Sequence, residues 1–185
     1  VLCPLTSDLR FSFSEFPFSA FRSRLAFIRM RWVVFLRAVN VGGTNRCQPA
    51  LIAKQLARFD IVNIGAVGTF VVGENVSEAA LRVAFARKLP FKCDIMICHA
   101  KQILDLSKGN PFKGETGNDI DAHATILAKR PAKLPKLPIY APSVDKWEIK
   151  ILRVIGTAAL CLRRRLKNGR LYPNQIVEKQ FGVSA

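Results

Sequence analysis

Between Trp32 and Cys98 the apolar residues switch between strand-like runs and helical spacing, and the order of those switches limits the fold more than any other feature. Trp32–Val39 is rich in β-branched and aromatic residues and reads as a buried strand. A Gly42-Gly43 turn follows, Pro49 suits a first helical turn, and Ile52, Leu56 and Phe59 recur on one helical face. Ile61–Ala66 and Thr69–Val72 read as two short strands pinched around Val67-Gly68, a hairpin signal. Ser77 is the expected N-cap of a helix with Glu78 in its first turn and Leu81, Phe85 and Leu89 on one face. Pro90 ends that helix, and Lys92–Cys98 alternates as a strand. The order is β-α-β-β-α-β, the split unit of a ferredoxin-like fold in the α+β class.

Further along, Lys101–Lys108 reads as a helix closed by Gly109. Ala122–Ala128, Trp147–Ile151 and Thr157–Arg163 read as strands, Pro131–Pro142 as a proline-rich connection, and Asn174–Phe181 as a helix before Gly182. The expected organisation is a ferredoxin-like unit over residues 31–112 and a smaller, basic α+β unit over 113–185. Residues 1–30 differ in kind. Residues 1–31 hold six of the thirteen phenylalanines, five serines and five arginines against Asp8 and Glu15, without helical or strand periodicity. The expectation is an N-terminal extension, disordered or no part of the working protein, with Met30 just ahead of the first strand.

Half of the 185 residues are apolar and well dispersed, which indicates a folded chain, and no apolar run reaches the roughly 18 residues of a spanning helix. No membrane association is therefore expected. Five widely scattered cysteines form no disulfide framework and point to a reducing, cytoplasmic setting. Only Cys98-His99, with Cys93 nearby, hints at a metal, and no second ligand pair accompanies it, so no metal and no cofactor are expected.

Several separated motifs occur in a telling order. “VVFLRAVNVGGTNR”, a Pro-led helix, “GTFVV”, a further helix and “GNPF” at 109–112 resemble the domain of unknown function 1697 family. The resemblance spans about residues 31–183 and implies tandem ferredoxin-like α+β units, with no established activity, substrate or cofactor. The family usually carries Ser-Gly-Asn in the hairpin where this chain has Val67-Gly68-Thr69. Its usual closing stretch, rich in Thr, Arg, Asn and Trp, is expected after “FGV”, where the chain reaches Ala185. If these segments line a shared polar site, this member has lost much of it.

Two groups of residues are candidate sites. The first is the loop carrying Arg37, Asn40, Gly42, Gly43, Asn45 and Arg46. Consecutive backbone N–H groups there, ahead of a helix, suit a small anion, and the same loop would hold a phosphorylated or nucleotide-like substrate if the protein is an enzyme. The loop matches neither nucleotide-binding glycine signature. The plainer reading is a strand-to-helix corner in which glycines relieve positive φ and Asn40 and Asn45 satisfy turn backbone. Arg37, set in an apolar run, requires a carboxylate, carbonyls or water. The second group is cationic. The net charge is +16, and between Lys129 and Arg170 twelve lysines and arginines face only Asp145 and Glu148. Arg163, Arg164, Arg165, Lys167 and Arg170 suit a phosphate backbone, which predicts weak, non-specific binding of nucleic acid or another polyanion. His99 and His123 have no nucleophile in a diagnostic context, and Asp94, Asp105, Glu115, Asp119 and Asp121 read as solvated acids.

Overall fold

In the computed structural model of the chain the described residues are 31–40, 43, 45–115 and 117–185; the expected extension at 1–30 and the candidate Gly42 lie outside them. They divide into two compact units, 31–105 and 106–185.

The first unit is built on strands β1 (Trp32–Leu36), β2 (Ile61–Ile64), β3 (Thr69–Val72) and β4 (Ile95–His99). All pair antiparallel in the order β2-β3-β1-β4, so β1 and β3 are interior. Helices α1 (Pro49–Gln55) and α2 (Glu78–Lys88) complete the expected β-α-β-β-α-β order. Val34, Leu36, Phe70, Val72, Ile95 and Ile97 form one sheet face, against which Ile52, Leu56, Leu81 and Phe85 are buried. Phe70 and Phe85 meet at 5.0 Å with rings inclined by 59°, a tilted pair that adds about 0.5–1.5 kcal/mol beyond its area burial. Ser77 caps α2 as expected, its Oγ accepting the Ala80 N–H at 3.2 Å.

Strand β1 stops at Leu36 rather than continuing to Val39. The reason is that its partners run out: Phe35 pairs with Thr69, the first residue of β3, and Leu36 with Ile95, the first of β4. Beyond that point the Arg37 N–H bonds to the Asp94 carbonyl, and Ala38 turns left-handed at φ 52°. Leu56, expected inside α1, is its cap, and Phe59 lies in a short 3-10 turn, Ala57–Phe59.

Helix α3 (Ala100–Lys108) runs through the boundary between the units. The second unit contains β5 (Ile120–Ile126), β6 (Ile139–Ala141), β7 (Ile149–Ile155) and β8 (Ala158–Arg164), antiparallel in the order β5-β8-β7-β6, and α4 (Pro173–Phe181). Leu127, Ile149, Ile151, Ala159, Cys161, Val177 and Phe181 form its core. The β7 and β8 strands close around Gly156 at φ 61°, and Gly182 at φ 62° ends α4. The connection at 131–142 thus contains a strand, β6, that proline content concealed; an edge strand tolerates flanking prolines because half of its backbone groups need no ladder partner. The whole is α+β, with two antiparallel sheets among the described residues.

Candidate functional site

Asn40 ties down the described part of the loop after β1. Asn40, left-handed at φ 57°, donates from Nδ2 to the carbonyls of Cys47 at 3.0 Å and Ala66 at 2.8 Å. Its Oδ1 accepts the Cys47 N–H at 3.0 Å, and its own N–H reaches the Asn45 carbonyl at 3.2 Å. The amide is thereby committed to backbone on both sides of the loop and to the β2–β3 turn. Gly43 at φ 80° and Asn45 at φ 49° supply further left-handed positions, and the Arg46 guanidinium lies back toward Gly43. Arg37 reaches Asp94, its Nη1 pairing with Oδ2 at 3.3 Å. Both partners are partly exposed, so the pair is worth at most about 1 kcal/mol.

Gly68 closes the same corner from the hairpin side. Its carbonyl accepts the Leu36 N–H at 2.9 Å, and at φ 82° a Cβ there would lie 2.9 Å from Leu36 Cβ and 3.3 Å from Val39 Cβ. The two nearby thiols, Cys47 and Cys93, are not activated. Burial raises both, and the Asp94 charge helps push Cys93 to about 11, so each stays protonated at neutral pH.

The second group gathers at the end of β8. The guanidinium of Arg163 lies 4.6 Å from the centre of the Tyr172 ring, and that of Arg164 lies 4.2 Å from Trp147. Arg164 Nε is 4.0 Å from Asp119 and Arg165 Nε is 3.3 Å from Asp121. These acids arrive through the pairing of β5 with β8, which sets Ile120 opposite Arg164 and Asp121 opposite Arg163. Lys150 pairs with Glu115 at 2.8 Å, and Arg153 donates to the Pro111 carbonyl. The local excess of charge is therefore smaller than a count along 129–170 suggests.

Lys167 and Arg170 sit in the loop that follows and are exposed. That loop is pinned at both ends. The Arg165 N–H donates to the Asp119 carbonyl at 2.7 Å, and Glu148 Oε2 accepts the N–H groups of Arg170 at 2.9 Å and Leu171 at 3.1 Å. Trp147 and Tyr172 were not singled out as site residues by sequence reasoning, and Glu148 was counted only as an opposing charge; an aromatic residue two positions past Arg170 was the available signal.

Of the histidines, His99 is exposed and stacks on Trp32 at 4.1 Å, while His123 is buried on β5. Among the described residues no three His, Cys, Asp or Glu side chains are grouped to hold a metal ion, and no helix is long and apolar enough to cross a membrane.

No curated protein and no solved structure matches the chain. A family model described as “Protein of unknown function (DUF1697)” matches residues 30–152, a span that takes in the Asn40 corner and ends before the arginines of β8. Covering well over half of the sequence, that match shows that the chain belongs to the domain of unknown function 1697 family.

Proposed function

We propose that the protein is a non-catalytic binder of polyanions, nucleic acid above all, acting through the end of β8 and the loop after it. The observation that carries this reading is the stacking of Arg163 on Tyr172 and Arg164 on Trp147, beside exposed Lys167 and Arg170. Guanidinium groups seated over rings are restrained in position and offer the fork of donors that phosphate favours. Ring faces beside cations also suit unstacked bases, which bind such surfaces with little sequence preference. The ion pairs of Arg164 and Arg165 are partly exposed and weak, so phosphate exchanges with Asp119 and Asp121 at small cost.

The order β2-β3-β1-β4 with two helices on one face supports reading the first unit as ferredoxin-like, a frame that by itself fixes no activity. Free Cys47, Cys93, Cys98 and Cys161 support a reducing, cytoplasmic setting.

The test is anisotropy of a labelled single-stranded oligonucleotide at low salt, with wild-type protein and with Lys167→Glu/Arg170→Glu. Both side chains are exposed, so reversing them leaves the core intact. The expected result is a loss of about tenfold or more, as for two removed phosphate contacts. Unchanged affinity, or strong preference for one sequence, overturns the proposal.

A further inference from the structure

Helix α2 is apolar on two sides. Leu81, Ala84 and Phe85 face the core, while Ala79, Ala80 and Val83 face solvent, with Val83 50% exposed. A helix whose outer side meets only water normally carries polar residues there. The outward stripe forms one wall of an open groove of about 770 Å³. The opposite wall is the end of α1 and the turn after it, with Leu56 and Phe59 at the floor. Among the described residues, three cations, Arg58, Arg87 and Lys88, line the groove and no acid does. The ion pairs among the described residues leave all three without an acidic partner, and Arg58 lies over the Phe59 ring at 4.6 Å.

We infer that this groove docks an acidic amphipathic helix of a partner protein. Apolar anchors one turn apart fit a floor of small and aliphatic side chains between two helices, and carboxylates on the flanks meet the cationic rim. Charge decides against two of the other occupants. A second copy carries +16 and is repelled by the same rim, and the chain's own residues 1–31 bring five arginines against two acids. A nucleic acid finds no accessible ring to stack on, because Phe59, the aromatic residue of the lining, is buried. The inference stands on the first unit alone and does not depend on polyanion binding at β8.

Three labelled peptides test it by anisotropy: a Leu/Glu helix with leucines at i, i+3, i+4 and i+7, a scrambled peptide of the same composition, and a Leu/Lys counterpart. The Leu/Glu helix is expected to bind at least about tenfold more tightly than the other two, the loss produced by removing one good anchor. Val83→Glu and Arg87→Glu/Lys88→Glu should each weaken it by a similar factor, with thermal midpoints confirming that these surface variants fold. Lys167→Glu/Arg170→Glu should leave it unchanged. Equal binding of the scrambled peptide, wild-type affinity in both groove variants, or displacement of the peptide by an oligonucleotide contradicts the inference.

Discussion

Replacing Asn40 by glycine, alanine and aspartate separates a structural staple from a ligand-facing side chain. Glycine keeps the left-handed φ of 57° without strain but removes the bonds to Cys47 N–H, Cys47 carbonyl and Ala66 carbonyl. At about 0.5–1.5 kcal/mol each, and toward the lower figure because the site is partly exposed, their loss costs roughly 2 kcal/mol. The greater freedom of glycine in the unfolded chain adds about 0.5–1 kcal/mol. Alanine loses the same bonds and adds roughly 1 kcal/mol for an L-residue with a Cβ at positive φ, so it should rank at or below glycine. Aspartate retains an acceptor for the Cys47 N–H but turns its other oxygen toward two carbonyls. Its carboxyl should therefore titrate above the ordinary value. Protonation restores a donor, so the deficit of Asn40→Asp shrinks as pH falls and grows as pH rises through the folded-state pKa. The assay is urea unfolding followed by Trp32 fluorescence in a Trp147→Phe background, Trp32 lying on β1 with its Nε1 bonded to the Val76 carbonyl at 2.9 Å. Glycine within about 0.5 kcal/mol of asparagine, where surface changes normally fall, would refute the staple.

Gly68→Ala should cost about 2–4 kcal/mol, combining left-handed strain with overpacking against Leu36 and Val39, whereas Gly65→Ala, with open space around its Cβ, should cost only about 1 kcal/mol. Equal losses in the same urea assay would mean that the corner is loosely packed. Burial pushes the Cys98 and Cys161 thiols from 9.0 up to about 12, so both stay protonated in the folded protein while the unfolded chain ionises. Stability should thus be intact below pH 9 and fall above it by up to about 1.4 kcal/mol per pH unit per thiol, a fall that Cys98→Ala and Cys161→Ala should each reduce. A pH profile identical in these variants would contradict the burial argument.

The order of elements was legible because β-branched runs and four-residue spacings report which face each segment buries, as Val34 and Val72 do on the sheet and Leu81 and Phe85 on α2. The end of β1 was not, since residues 37–39 look like more strand and only the length of the partner strands stops them. The chemistry of the β8 end was half legible. Its arginines lie together in sequence, but Asp119 and Asp121 reach them through strand register, and Trp147 through the fold of a separate segment. Asn40 could be read as a turn residue from its neighbours, yet its bond to Ala66, on the far side of α1 in sequence, needed coordinates. The groove beside α2 left one trace, the missing polar residues at 79, 80 and 83.

Polyanion binding is tested most directly by the salt dependence of oligonucleotide affinity. Counterion release makes the logarithm of the binding constant fall linearly with the logarithm of salt, by about 0.7 per phosphate contact on single strands and about 0.9 on duplex. For three to five contacts on duplex the slope should lie at roughly −3 to −4.5, the same for unrelated sequences, and removing Lys167 and Arg170 should flatten it by up to about 1.8. Affinity independent of salt, or a slope that the double charge reversal leaves unchanged, would contradict binding at the end of β8.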